Sequence, residues 1–259
     1  MVRNEEYSKL WIDNFDVNKA LQYDKKFYKQ FEKNIKHKEQ VNIIKKYLAK
    51  DSLWLDAPVG SGRIMNDIVH EKDKCYIFDY SEVFLKFSSE RLNIRKDNIF
   101  QGDIFELNLD KKFDLITCNN MLFAFEKFNL IVEKLTTHLE TNGILICDVV
   151  NKNMYENLDI PYNETMKKSK GWNEDDILNF CEQNNCELIE VIAHDYFDNE
   201  YILSWRFSGN KFYKKLKGLF WRIINKVYFK LHLYNFFHTL EDKSNLELFN
   251  KLILVMRKK

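Results

Sequence analysis

The chain reads as an α/β domain built on a mostly parallel sheet of seven strands with helices on both faces. Two observations predict this. From residue 53 to residue 150, short uninterrupted apolar runs alternate with helix-patterned segments. Strands buried on both faces read as continuous apolar runs, whereas half-exposed strands alternate. The second observation is where the polar residues fall. Several runs end in an aspartate or in asparagines, and ligands of open α/β sheets bind at the carboxyl ends of the strands. The chain holds only 7 glycines and 2 prolines, yet Pro58, Gly60 and Gly62 stand together directly after the first run.

Residues 1–50 read as helix, an N-terminal cap. The segment 18–49 contains no Gly or Pro, and Leu21, Phe27, Phe31, Ile35, Val41, Ile44 and Leu48 recur mostly at helical spacing. The first strand is LWLDA (53–57), followed by the glycine loop and a helix over RIMNDIVHE (63–71). KCYIFDYS (74–81) is the second strand and EVFLKFSSERLN (82–93) its helix. NIFQGDIFEL (98–107) holds a short third strand that leads to Asp103. FDLITCNNML (113–122) is the fourth, NLIVEKLTTHLE (129–140) a helix and NGILICDVV (142–150) the fifth strand. In WNEDDILNFCEQN (172–184), Asn173 is placed to cap a helix whose first turn is acidic, which suits the helix dipole. CELIEVIAHDYF (186–197) and KLILVMRKK (251–259) complete the set. No internal repeat or low-complexity linker interrupts them. The expected organisation is one domain, 1–259: a helical cap at 1–50, a core at 51–200, a helical insertion at 201–250 and a last strand at 251–259.

Composition narrows the class. With 45% hydrophobic and 31% charged residues, the chain suits a soluble globular protein with one large core. A net charge of +1 excludes polyanion binding by bulk electrostatics. The five cysteines form no disulfide-like pattern and no zinc spacing, so no metal site is predicted. MVRNEEYSKLW carries no apolar segment of the signal-peptide type, and no apolar run approaches membrane-span length. The expectation is a reduced, cytoplasmic protein.

The polar strand ends suggest a nucleoside ligand. Glycines let backbone N–H groups approach a ligand closely. The loop is neither G-x-x-x-x-G-K-[ST] nor G-x-G-x-x-G, so a phosphate-binding reading is weak. Asp79, at the end of the second strand, suits the hydroxyls of a ribose. Asp103 suits an exocyclic amine on adenine. The competing structural reading is that such aspartates cap the helices after them.

LDAPVGSGR (55–63) resembles motif I of the class I S-adenosylmethionine-dependent methyltransferases, with Pro58 where the family usually has its first glycine. IFDYSEVFL (77–85) resembles the family's second-strand segment and GDIFEL (102–107) its adenine-side segment. KFDLITCNNMLFAF (112–125) and TNGILICDVVNKN (141–153) resemble the fourth- and fifth-strand motifs. The resemblance covers most of residues 20–200 and the last ten. It implies a Rossmann-like fold with an antiparallel last strand, S-adenosyl-L-methionine as cofactor and S-adenosyl-L-homocysteine as product. Asp56, Pro58, Gly60 and Gly62 would shape the loop around the methionine part. Asp79, with Tyr80 beside it, would bind the ribose. Asp103 and the backbone of Ile104 would hold the adenine. Asn119 would lie under the cofactor near its methionine moiety. Tyr23 resembles a capping-helix tyrosine that closes over the cofactor. Pro58 has no N–H to donate, so it contributes shape alone.

Methyl transfer needs a nucleophile in line with the methyl carbon, and an oxygen nucleophile gains from a base. Polar residues past the later strands are the candidates, Asn120, Asp148, Asn151, His194 and Asp195: of these Asp148 and His194 are the catalytic candidates, and Asn120 and Asn151 are assigned to the substrate. A lone histidine beside an apolar strand is also a common packing residue. In the insertion, residues 211–230 hold seven Lys/Arg and no acid, with Phe212, Leu216, Phe220, Ile223, Val227 and then Leu231 at helical spacing. Three readings compete for this helix: a lid packing its apolar face inward, peripheral contact with an anionic membrane at the inner face, and recognition of an acidic substrate. Nucleic acid is not expected, because no added binding module is visible and CNNMLFAF is not the N-P-P-[YF] motif of base methylation. The expected function is O-methylation of a sugar, a sugar-linked phosphate or another small molecule of cell-envelope or polysaccharide assembly. A lipid or quinone-like acceptor at the membrane surface is the alternative within enzymes. A catalytically silent cofactor-binding partner is the alternative from another class.

Overall fold

The computed structural model describes residues 17–68, 70–153, 171–194, 223, 226–231 and 251–259. The apolar runs form one seven-stranded sheet. All of β1 (Trp54–Asp56) and β2 (Cys75–Asp79) is buried, as central parallel strands require. β3 (Ile99–Gln101), β4 (Phe113–Cys118), β5 (Leu139–Val150), β6 (Cys186–His194) and β7 (Lys251–Lys258) complete it, in the order β3-β2-β1-β4-β5-β7-β6. β1 to β5 are parallel, and β7 runs antiparallel to both of its neighbours. This is the Rossmann-like order with an antiparallel last strand. The chain leaves β1 toward β2 on one side and reaches β4 on the other. A cleft therefore opens past the carboxyl ends of β1 and β4, where ligands bind in such sheets.

Successive residues of the strands feed opposite faces. Leu55, Phe78, Ile116 and Leu145 join one core with helices α5 (Phe128–Thr137) and α6 (Glu174–Gln183). Trp54, Ile77, Leu115 and Ile146 join the other with α2 (Phe31–Tyr47), α3 (Arg63–Asn66) and α4 (Glu82–Leu92). The predicted cap of α6 is present: Asn173 and Asp176 form a reciprocal capping box.

The N-terminal helix is in fact two, α1 (Val17–Lys29) and α2, separated at Gln30 by an extended backbone. Leu21, expected on the apolar face, is exposed. The inward stripe of α1 is instead Ala20, Asp24 and Phe27, with a carboxylate in a core position because the buried Ser61 and the half-buried Arg91 partner it there. α3 spans four residues, far shorter than the helix read over 63–71. Asp67 leaves helical geometry and turns its carboxylate to Tyr28 and His37, and α2 is thereby bound to the loop. β6 ends at His194, and Asp195 lies outside the described residues.

Most of the basic segment 211–230 also lies outside the described residues. Residues 226–231 are helical, and Tyr228 is the inward residue. Its hydroxyl donates to Asn34 Oδ1 at 2.8 Å, and its ring meets Phe31 edge-on at 4.9 Å. Ile223, Val227 and Leu231, which the lid reading packs inward, are exposed. Residues 226–231 thus rest on the cap through an aromatic residue outside the expected stripe.

The β4–β5 pairing changes register between Phe113 and Leu115, and Gly143 lies in the strand opposite. A Cβ on Gly143 would stand 2.8 Å from Glu140 O and 2.9 Å from Phe113 O, both backbone atoms with little room to move. Gly143→Ala should therefore destabilise the protein by about 1–3 kcal/mol. Gly102→Ala, whose Cβ would meet only the Phe78 ring at 3.4 Å, should change stability by no more than ~0.5 kcal/mol. Urea unfolding of both variants checks the contrast.

Candidate active site

The glycine loop crosses from β1 toward β2. Ala57 N donates to Thr117 O at 2.9 Å and Val59 N to Phe78 O at 2.9 Å, with a cis peptide between Ala57 and Pro58. Gly60 and Gly62 both take the left-handed backbone, at φ 53° and 68°. They serve different ends. A Cβ on Gly62 would press against Leu92 Cδ1 at 2.9 Å, so that glycine lets α4 pack. Around a Cβ on Gly60 there is nothing within 4 Å, so that glycine borders open space.

Asp79 binds the loop from below. Its Oδ2 accepts from Gly60 N and its Oδ1 from Ser81 N, each at 2.9 Å. Burial pushes its carboxyl up to about 6, although these backbone donors favour the charged form. Gly102 N bonds Asp79 O at 3.2 Å, which brings the third strand end alongside. Asp103 is half-buried and caps the turn Ile104–Glu106 by accepting from Phe105 N at 3.0 Å. Tyr80 is exposed next to Asp79.

Asp56 faces the sheet. It accepts from Thr117 Oγ1 at 2.6 Å, and Thr117 Oγ1 in turn accepts from Trp54 Nε1 at 3.0 Å. Burial pushes this carboxyl up to about 7. Asp56 and Thr117 join the ends of the two strands that flank the cleft.

Past β4, Asn119 has a buried amide nitrogen with no hydrogen-bond partner. Asn120 takes a left-handed backbone, φ 59°, and its N–H donates to Asp148 Oδ1 at 2.5 Å. Asp148 Oδ2 accepts from Lys251 Nζ at 2.8 Å, both groups buried. Burial alone would raise the Asp148 carboxyl. The Lys251 and Lys36 charges and two hydrogen bonds outweigh it and hold the group below the usual range. Asp148 therefore sits at the expected edge with its oxygens engaged and little affinity for a proton. Asn151 is buried at the end of β5, paired across to Trp172. His194 ends β6 opposite Lys251 of β7, with β7 between it and β5. The sheet thus brings Asp56, Pro58, Gly60, Gly62, Asp79, Tyr80, Asp103, Ile104, Asn119, Asn120 and Asp148 to one edge of its centre and leaves His194 on the outer strand.

Tyr23 reaches this edge from α1. Burial pushes its phenol up, and the charges of Arg63, Lys36, Asp24 and Asp148 all act on it. Around it lies a polar network that sequence reasoning missed. Ser61 Oγ donates to Asp24 Oδ1 at 2.5 Å, and Arg91 pairs with Asp24 Oδ2. Arg63, buried, stacks 3.8 Å over the Phe27 ring and faces His37 Nδ1 and Gln40. His37 Nε2 lies 2.7 Å from Asp67 Oδ2. These partners are assembled from distant parts of the chain; Ser61 and Arg63, either side of Gly62, stood in the glycine-loop segment, but their partners Asp24, Arg91, His37 and Gln40 did not.

Residues 55–147 match the family described as methyltransferase domain. The structure resembles magnesium protoporphyrin IX methyltransferase from Synechocystis PCC 6803 with bound S-adenosylhomocysteine, at a TM-score of 0.56 and 13% identity over 97% of this chain and 100% of that one. It also resembles the N-methyltransferase NodS from Bradyrhizobium japonicum WM9 in complex with S-adenosylhomocysteine, at a TM-score of 0.52 and 11% identity over 88% of each chain. At such identities the likeness is one of fold. A curated relative, malonyl-[acyl-carrier protein] O-methyltransferase of Bacillus anthracis, is 22% identical over 161 residues, 61% of this chain and 59% of that protein. The match thus spans less than two thirds of that relative's length.

Residues 55–147 thus match a methyltransferase domain, and the chain has the Rossmann-like methyltransferase fold; the cofactor that such a domain takes is S-adenosylmethionine. The residues present fit that cofactor. The open side of Gly60 is a cradle, the buried Asn119 amide nitrogen lacks a partner, and the Asp79 carboxylate keeps acceptor capacity beyond its backbone donors at Gly60, Ser81 and Tyr80.

His37 gives this region a pH dependence. Burial, then Arg63 and Lys38, push its imidazole down, against the pull of Asp67. The arrangement suits a neutral ring that donates to Asp67 and accepts from Arg63. Its stabilising contribution is therefore present above the unfolded value of about 6.5 and is lost on acidification. Asp56 and Asp79, raised by burial, act in the opposite sense, so the informative quantity is a difference. The stability advantage of the native protein over His37→Gln should narrow from pH 8 to pH 5 in urea titrations.

Proposed function

We propose that the protein transfers the methyl group of S-adenosylmethionine to an oxygen of a small-molecule acceptor, beneath helices α1 and α2. The observation that carries this reading is the open cradle at Gly60, bordered by the Asp79 carboxylate and backed by the partnerless Asn119 amide. When bound, the cofactor supplies an electrophilic methyl group on a sulfonium. In this reading Asp79, with Tyr80 beside it, accepts from the ribose hydroxyls. Asp103 and the backbone of Ile104 hold the adenine. Pro58, Gly60 and Gly62 shape the loop around the methionine part, and Asp56 braces the strand ends beneath it. Asn119 donates to the methionine moiety, and Tyr23 closes over it from α1.

Asn120 and Asn151 are assigned to the acceptor side. Asp148, engaged by Lys251 and Asn120, positions Asn120 rather than taking a proton. Its low proton affinity supports that role. His194, two strands out from β5, is dropped as a base in this reading. Orientation then supplies most of the rate, an effect worth on the order of 7–11 kcal/mol in favourable cases; the proton of a hydroxyl acceptor passes to solvent as the methyl–oxygen bond forms and the methyl–sulfur bond breaks, and an already ionised acidic oxygen has none to lose.

For the acceptor we propose a sugar, a sugar-linked phosphate or another small molecule of cell-envelope or polysaccharide assembly, in a cytoplasmic setting. The named O-methylation of the Bacillus anthracis relative supports an oxygen acceptor. The basic segment 211–230 supports an acidic one.

Calorimetry with S-adenosylhomocysteine tests the cofactor arrangement. The ribose needs the ionised carboxylate, which the Asp79 value of about 6 makes available at neutral pH and withdraws below it. Affinity should therefore fall as pH drops through about 6. Asp79→Ala should cost at least about tenfold at pH 7.5, in line with a lost hydrogen bond to a charged group. Absence of binding at millimolar ligand refutes the reading.

One observation favours a lipid or quinone-like acceptor at the membrane surface. Ile223, Val227 and Leu231 form an exposed apolar stripe at one-turn spacing, beside the exposed Lys226 and Lys230. No helix among the described residues is long and apolar enough to cross a membrane, but such a stripe suits peripheral binding. The protein should then float with vesicles containing anionic lipid, and a Val227→Ser/Leu231→Ser variant should float less. Protein that stays at the bottom with anionic vesicles removes this reading.

A further inference from the structure

Ser61 is the residue between the two loop glycines, and it is gripped from two sides. Its hydroxyl donates to Asp24 Oδ1 at 2.5 Å, and its carbonyl accepts from Arg91 Nη1 at 3.2 Å. Arg91 also pairs with Asp24 Oδ2, which closes a triangle between α1, the loop and the last turn of α4. Asp24 and Ser61 are both buried. Two residues along, Arg63 carries the same contact further, stacked on Phe27 of α1 and facing His37 and Gln40 of α2. The back of the loop is therefore held by the cap, while the Gly60 side stays open.

This matters because a Gly-x-Gly segment is expensive to order: glycine loses more backbone freedom than any other residue. A buried charged group is likewise costly unless paired. Asp24 has its pairing only when α1 is docked and the loop is in this conformation. The adjacent residue on α1 is Tyr23, whose ring packs 5.1 Å from that of Phe27, the ring on which Arg63 stacks. Resting on the cofactor reading above, we propose that Asp24 is a positioning residue. It clasps α1 to the glycine loop through Ser61 and Arg91. Cofactor binding and the docking of α1, which carries Tyr23, are then a single coupled event. By linkage, whatever favours one favours the other to the same degree.

The test uses the full-length protein, with S-adenosylhomocysteine as the probe. Affinity is read by calorimetry, and amide hydrogen exchange is followed in peptides covering 17–29 and 58–63. In the native protein, ligand should slow exchange in both peptides. In Ser61→Ala, which removes one hydroxyl and leaves the fold its packing, affinity should fall about tenfold. Ligand should still slow exchange in the loop but no longer in α1. Asp24→Asn should behave in the same way, and the double variant should be no weaker than the weaker single one, since both act through one contact. A merely structural pair would lower stability and leave both the ligand affinity and the protection of α1 intact; that result overturns the proposal. If the native protein itself binds no S-adenosylhomocysteine, the cofactor reading falls and the clasp with it. If the native protein and the variants bind alike, only the clasp falls.

Discussion

The carboxylate of Asp79 is the interaction on which the rest of the site depends. It stands at the end of a fully buried strand, and each oxygen takes a backbone N–H from a different element, Gly60 of the loop and Ser81 at the start of α4. Those two donors fix the loop against the sheet and set where α4 begins. A group buried this deeply resists ionisation. The protein nonetheless keeps it beside an open cradle, where lone pairs remain for a ligand. A side chain that only capped a helix would need one such bond.

Charge burial organises the surroundings in the same way. The buried Asp148 pairs with the buried Lys251, the buried Asp24 with the half-buried Arg91, and the buried Arg63 with the aromatic face of Phe27. Removing one partner of such a pair leaves an uncompensated charge in low dielectric, which makes each pair a strict geometric requirement. Two of the three join the N-terminal helices to the nucleotide-type core. The third joins the last strand to the fifth and holds the backbone of Asn120. The cap and the final strand, though distant in sequence, are bound by this to the same cleft.

The elements most legible in the sequence were those set by local pattern. Continuous apolar runs marked the central strands, because a strand covered on both faces has no polar positions to alternate. Asn173 and the acids after it announced the start of α6. The loop glycines and the strand-end aspartates marked the cleft. What misled was pattern read without its partners. Leu21 continued a helical spacing but faces solvent, while Asp24 fills the core position. RIMNDIVHE looked helical throughout, yet Asp67 ends α3 by turning to His37. For Asp148 the pattern showed its place at the end of β5 but not its partner. It is pinned by Lys251, a residue 103 positions away in the chain.

The sequence by itself determined the sheet, its parallel core and the placement of a glycine loop and three aspartates at strand ends. These follow from burial periodicity and backbone freedom, which act over a few neighbouring residues. Only the tertiary structure decided which polar groups are spent on holding the fold and which remain for a ligand. That division rests on pairings such as Ser61 with Asp24 and Arg63 with His37, made between segments that touch only after the core has formed. Long-range electrostatics in a desolvated interior leaves no periodic trace in the chain, so it can be read only once the partners stand side by side.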